Sequence, residues 1–288
     1  MSRRSKVRAM AQQTWLITGV SSGLGKALAD AVLARGHNVV GTLRNPEQIA
    51  AFEADAPGRA FGLHIDLVQD EPIGVQVDAA IARAGGRLDV LVNNAGVGRM
   101  GALEELDESD FRAVMEINFF GALRMTKAVV TRLREQRGGA VVNISSASGF
   151  AGNAGGTAYC ASKFALEGLS EALAPELEPF GVKVIIVEPG AFRTDFAHDK
   201  LRLPPRRVSA YAGSMAGDIN DLLKAYDGAQ PGDPARAADA IIAAVEAPEP
   251  PLRLILGEDA LEWIRNKLEQ AEKDIEQWRA VTVSTAFA

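Results

Sequence analysis

Apolar residues gather along this chain in short blocks bounded by glycine, proline and polar residues, and between the blocks they recur at helical spacing. Thr14 to Thr18 (TWLIT) reads as a buried strand. The stretch from Gly19 to Gly25 reads as a tight turn, and Lys26 to Arg35 as a helix ended by Gly36. Asn38 to Leu43 is a second strand, and Asn45-Pro46 opens a helix because proline is tolerated in a first turn. Further strands are expected at Ala60 to Ile65, Leu88 to Val92, Ala140 to Ile144, Val182 to Val187 and Leu252 to Leu256. Helical patterns separate most of them, including Glu108 to Gln136 and a long run from Ala158 to Phe180. Strands that are apolar on both faces and alternate with helices predict an α/β fold, a Rossmann-type doubly wound, mainly parallel sheet of seven strands covered by helices on both sides.

The pattern is absent from residues 1–13, which are polar and basic and read as a flexible leader. One domain is expected over residues 14–280, with a short tail at 281–288. The least regular part, 191–234, is proline-broken, and Tyr211, Met215, Leu222, Leu223 and Tyr226 offer apolar anchors. That composition suits a substrate loop. Leu261, Ile264, Leu268, Ala271, Ile275 and Trp278 recur in steps of three and four. They predict an amphipathic helix that docks on its own sheet or meets another subunit.

Composition narrows the function classes. With 288 residues, 47% of them hydrophobic, the chain can bury a large core. A net charge of -6 argues against a nucleic-acid surface. No apolar run approaches the ~20 residues a membrane helix needs, so a cytoplasmic protein is expected. A single cysteine, Cys160, excludes an intrachain disulfide, and His37, His64 and His198 are too scattered to suggest a metal site.

The candidate chemistry lies in two places. Gly19-x-x-x-Gly23-x-Gly25 follows a strand and precedes a helix, where glycines let a backbone approach a pyrophosphate and the helix N-terminus supplies donors. An acid at the end of the second strand would hold a ribose hydroxyl, but Thr42-Leu43-Arg44-Asn45 has none. Arg44 suits a 2′-phosphate, favouring NADP(H) over NAD(H); it could also simply cover a helix. Asp66, ending the third strand, is placed for an adenine amino group or for a turn. The second place is Tyr159-x-x-x-Lys163, four residues apart on one helix face, where the ammonium would lower the phenol's pKa and let it trade protons near neutrality.

Thr18-Gly19-x-x-x-Gly23-x-Gly25, Asn93-Asn94-Ala95-Gly96, Asn118, Ser146, Tyr159-x-x-x-Lys163 and Pro189-Gly190 together resemble the short-chain dehydrogenase/reductase family. The stretches after Tyr159 and Glu188 resemble its 17-beta-hydroxysteroid dehydrogenase-like subgroup. The resemblance implies Tyr159 as general acid/base, Lys163 as its tuner and a ribose ligand, Ser146 as partner of the substrate oxygen, and Asn118 as holder of a relay water. It also implies cofactor contacts from Ser21, Ser22, Leu24, Leu67, Asn94, Ala95, Gly96, Pro189, Gly190 and Thr194. Asn94 has a structural role as its alternative, and Thr194 could cap a short helix. A homodimer or homotetramer acting on a small carbonyl or alcohol is implied. A catalytically idle NADP(H)-binding regulatory or redox-sensing protein is the competing expectation.

Overall fold

The computed structural model describes residues 12–68, 73–196 and 200–287. The leader expected at 1–13 therefore lies outside them except for Gln12, whose side chain donates to Asn38, and Gln13, whose backbone amide donates to His37. In chain order the elements are β1 (Thr14–Ile17), α1 (Gly23–Ala34), β2 (Asn38–Leu43), α2 (Pro46–Asp55), β3 (Ala60–His64) and α3 (Ile73–Arg83). They continue with β4 (Val90–Asn93), β5 (Gly98–Arg99), α4 (Glu108–Met115), α5 (Ala122–Gln136), β6 (Gly139–Ile144), α6 (Ala147–Phe150) and α7 (Thr157–Leu177). The last are β7 (Val182–Pro189), β8 (Leu201–Arg202), α8 (Met215–Tyr226), α9 (Pro234–Glu246), β9 (Arg253–Leu256) and α10 (Glu258–Val283).

Seven strands form one sheet in the order β3-β2-β1-β4-β6-β7-β9, every pair parallel. Because strand side chains alternate, β1 feeds two cores. Trp15 and Ile17 pack with Leu28, Val32, Ile241 and Ile242 on one face. Leu16 packs with Ile81, Leu91, Met125 and Leu133 on the other. The strand order reverses between β1 and β4, and a doubly wound sheet binds ligands at the carboxyl ends of the strands beside such a switch point. The glycine turn after β1 and Asn94 to Gly96 after β4 meet there. Beneath them Asn93 donates to Thr126 and Asn143, and Asn143 donates to Ser170, tying β4 and β6 to the helices below.

Three expectations need correction. The run from Glu108 to Gln136 is not one regular helix: Glu116–Gly121 is a π-helical turn between α4 and α5. A widened turn of that kind is often found at functional sites, and this one carries Asn118. Second, α10 continues to Val283, so residues 281–283 of the expected tail are helical. Third, only its beginning docks: Ala260 and Ile264 are buried against Ala147, whereas Leu268, Ile275 and Trp278 are exposed.

Candidate active site

The glycine turn has the geometry its sequence suggested. Gly19 and Gly23 adopt φ of +74° and +61°, which other residues rarely tolerate. A Cβ on Gly25 would collide with Asn94 Nδ2 and with the Gly19 carbonyl. Asn94 clamps the turn, donating to the carbonyls of Thr18 (2.8 Å) and Gly19 (3.1 Å), while Thr18 Oγ1 accepts from the amides of Asn94 and Ala95 at 2.9 Å. The Asn94 side chain is thus committed to shaping the turn. Gly19 N donates to Thr42 Oγ1 (2.9 Å), which brings the end of β2 and Arg44 alongside.

A cavity of about 680 Å³ opens over this turn and continues to the catalytic candidates. Gly19, Ser21, Ser22, Gly23, Leu24, Arg44, Asp66, Leu67, Asn94, Ala95, Gly96, Ser146, Tyr159, Lys163, Pro189, Gly190 and Thr194 all line it. Gly25 and Asn118 stand behind its wall. Asp66 accepts from Val68 N at 3.1 Å, closing a turn with one carboxylate oxygen. Thr194 reaches back across the cavity to lie 3.5 Å from where a Gly23 Cβ would be, and its Oγ1 accepts from Phe196 N, so it both borders the glycine turn and caps its own.

Asn118 latches Gly96 and Val97 to α7. Its Oδ1 accepts from Val97 N, and its Nδ2 donates to the Val97 carbonyl and to Ser162 Oγ, each at 2.9 Å. Both of its donors are used. Ser146 begins α6, accepting from Ser148 N at 3.1 Å.

Tyr159 and Lys163 sit one turn apart and almost fully buried, yet the expected lowering of the phenol does not occur within the polypeptide alone. Lys163 Nζ donates to the Ile144 carbonyl at 2.8 Å and stands 5.7 Å from the centre of the Tyr159 ring. Burial pushes the phenol up to about 12, with Ser146 opposing the rise. Burial likewise pushes Lys163 down to about 8, opposed by the negative charge of Glu167. For two groups this deeply buried, desolvation outweighs the attraction between neighbours. Glu167 is held by Arg253, which also binds Glu188 and, at 2.8 Å, Glu171, so β9 is stapled to β7 and α7 beside Lys163. Burial raises the Glu188 carboxyl, and Arg253 opposes this.

The far end of the cavity is apolar. Met100, Phe196, Leu201, Leu223 and Tyr226 line it, and Phe196 lies 6.0 Å from Tyr159 between ring centres. Of the anchors expected in 191–234, Leu223 and Tyr226 face this cavity, whereas Met215 and Leu222 face a separate groove and Tyr211 donates to Glu104. Ile219 is the buried anchor of α8. Gly98 and Arg99 pair with Leu201 and Arg202, so Met100 and Leu201 arrive on adjoining strands.

A residue that the sequence reading passed over ties the segment after β5 to the segment after β8. The buried Glu105 accepts from Ala102 N (3.0 Å) and, across 103 positions, from Val208 N (2.9 Å), with Arg207 Nε at 3.4 Å. Two adjacent acids after a loop carry no sequence signal for such a role, because the partner lies in a different part of the chain. Glu105→Ala strands the buried amide of Ala102, a loss of about 1 kcal/mol or more, and frees the half-buried amide of Val208. KM for a carbonyl substrate is expected to rise roughly tenfold, with nucleotide affinity unchanged in a binding titration.

Among the described residues no group of three acidic, histidine or cysteine side chains could hold a metal ion, and no helix is long and apolar enough to cross a membrane. Residues 13–202 match the family model for short chain dehydrogenase. Oxidoreductase BOA17 of Botryotinia fuckeliana (strain B05.10) is 34% identical over 273 residues, 94% of this chain and 98% of that protein. Retinol dehydrogenase 8 of Homo sapiens, 40% identical over 195 residues (65% of this chain, 61% of that protein), fits the subgroup resemblance of the Tyr159 and Glu188 stretches. A short-chain dehydrogenase from Streptomyces avermitilis superposes with a TM-score of 0.88 at 42% identity, covering 96% of this chain and all of that one. Another from Burkholderia cenocepacia J2315, solved in complex with NADP, gives 0.70 at 28% identity, covering 92% and 97%. With the parallel seven-stranded sheet and the glycine turn at its switch point, these matches show that the chain belongs to the short-chain dehydrogenase family and is an oxidoreductase of that family.

Proposed function

We propose that this protein transfers hydride between NADP(H) and an apolar carbonyl or secondary alcohol, with Tyr159 as the general acid and base. The observation that carries the reading is the continuity of one cavity, from Arg44 and the glycine turn, past Tyr159 and Lys163, to the apolar patch of Met100, Phe196 and Leu201. The residues fit a dinucleotide. Glycines leave room for its backbone at Gly19 and Gly23, the N-terminus of α1 offers donors to a pyrophosphate, and Ser145 Oγ and Gln230 Oε1 lie buried on the cavity wall with no partner in the protein.

When bound, the nicotinamide supplies or accepts the hydride and, oxidised, brings a positive charge beside the phenol. The chain's own groups do the rest. Ser146 and Tyr159 donate to the substrate oxygen as charge builds on it, and Tyr159 passes its proton to that oxygen during reduction. Lys163, anchored on the Ile144 carbonyl, supplies positive charge behind the ring and a donor for a ribose hydroxyl. Asn118 keeps Gly96 and Val97 against α7, so that the floor under the reacting atoms does not shift. The buried phenol, high on its own, is protonated through the neutral range and ready as an acid. The apolar end excludes water and selects for an apolar substrate. Self-association through the faces of α5 and α7 belongs to the same reading, since these are the helices by which the family resemblance implies dimers or tetramers.

Arg44 sets the preference between the two cofactors. It is exposed at the cavity rim, and its backbone carbonyl is fixed by His64 Nε2 at 3.0 Å. A guanidinium paired with a phosphate contributes about 1.5–3 kcal/mol. Arg44→Ala is therefore expected to raise KM for NADPH by roughly 10- to 100-fold and to leave KM for NADH nearly unchanged. Equal changes for both cofactors in parallel steady-state assays would remove Arg44 from this role.

A further inference from the structure

α10 leaves the domain part-way along its length. After Ile264, which is buried under Ala147 and Trp263, the remaining residues of the helix are exposed apart from the half-buried Ala271. At 1.5 Å per residue the projecting part reaches roughly 28 Å from the domain. Along it runs an apolar seam of Leu268, Ala271, Ile275 and Trp278, with Leu268, Ile275 and Trp278 respectively 52%, 62% and 58% exposed. A solitary helix in water with a stripe of this kind is poorly stabilised and calls for a partner along the stripe.

We propose that the partner is a second copy of this chain, its α10 lying antiparallel on the first with Ile275 level with the partner's Trp278. The charges beside the seam select this arrangement. The seam follows a seven-residue repeat, which puts Arg265, Glu272 and Arg279 along one flank and Lys267 and Asp274 along the other. An antiparallel register with Leu268 level with the partner's Trp278 would set Glu272 against the partner's Glu272, Asp274 against the partner's Asp274 and Arg265 against the partner's Arg279. Sliding by half a repeat toward the helix ends brings Ile275 level with the partner's Trp278. Glu272 then meets the partner's Arg279, twice by two-fold symmetry. Sliding the other way gives favourable charges but needs Ile264 to face the partner, and Ile264 is 2% exposed beneath its own domain. A parallel pair fails for the same reason: its flanking charges are complementary, but each domain covers the Ile264 side of the seam, where the partner helix would have to begin. In the chosen register each helix end stops short of the level at which the partner's domain begins.

The test is a charge swap in the full-length protein, read as molar mass by sedimentation over a range of concentrations, with circular dichroism confirming that each variant is folded. Glu272→Arg sets like charges face to face at both symmetry-related positions, and the mass is expected to fall by half. Glu272→Arg combined with Arg279→Glu exchanges the charges across the interface and is expected to restore it. Ile275→Glu should halve the mass irrespective of salt. The proposal is overturned if Glu272→Arg and Ile275→Glu both leave the mass unchanged, since the seam is then not an interface between copies. It is overturned equally if the double swap fails to restore the mass. In a parallel pair the exchanged residues would face Lys267 and Asp274 of the partner, and repulsion would persist.

Discussion

Tyr159→Phe is expected to lower kcat for carbonyl reduction by about 10³-fold, the scale of a lost general acid, while the dissociation constant for NADPH stays within a few-fold. The substitution removes one oxygen from a side chain that is 9% exposed and packed on Met100, Ile219 and Phe196, so the cavity keeps its shape. The phenolic proton has no substitute nearby. The Ser146 hydroxyl can donate a hydrogen bond but is far too weak an acid to give up its proton, and Lys163 points its ammonium at the Ile144 carbonyl. Single-turnover assays with NADPH in excess separate binding from chemistry. A variant that retains a tenth of the wild-type rate would show that the proton comes from elsewhere.

Gly25→Ala is expected to cost at least about 100-fold in nucleotide affinity and to lower the melting temperature, since overpacking a tight site costs roughly 1–3 kcal/mol in stability alone. The added methyl would enter the space of Asn94 Nδ2 and the Gly19 carbonyl. Neither can retreat without loss, because they are bonded to each other at 3.1 Å and Asn94 also holds Thr18. The turn would have to open, moving Gly19 and Gly23 away from the cavity. Gly74→Ala is the control. A Cβ there meets nothing within 4 Å, and the position lies inside α3, so affinity should not change. Calorimetric titration with NADPH distinguishes the two variants.

The sheet was largely legible in the sequence, because its strands are buried on both faces and read as unbroken apolar blocks. Asn38 to Leu43 matches the β2 boundaries, and the other expected strands fall within a few residues of the observed ones. What escaped the reading depends on separations that no local pattern encodes. The π-helical turn at Glu116–Gly121 changes the period by one residue within a sequence that still looks helical. Glu105 acquires its meaning from Val208, on a loop brought back by the short pairing of β5 with β8. Lys163 was expected to draw the phenol down, because spacing on a helix shows proximity but not desolvation. Once both groups are buried, the absence of water is the larger effect, and it moves Tyr159 up and Lys163 down. The seam of α10 was readable as amphipathic, but whether it faced its own sheet or something else depended on where the domain ended.

The role given to Asn94 illustrates the same limit within the site. Its position after β4 marked it for the cofactor, and it does line the cavity. Its side-chain amide, however, is spent on the carbonyls of Thr18 and Gly19. Under the proposed function, Asn94 would act on a nucleotide through the shape of the turn.

The most direct test is to supply NADPH deuterated at C4 of the nicotinamide, on the transferred face, to the purified protein with a panel of apolar ketones and aldehydes. The product alcohols are then analysed by mass spectrometry. The predicted result is a product carrying one deuterium on the carbinol carbon, formed more efficiently with NADPH than with NADH and about 10³-fold more slowly with Tyr159→Phe. Binding of NADPH with no deuterated product from any member of the panel, or deuterated product formed by the Tyr159→Phe variant at close to the wild-type rate, would contradict the assignment.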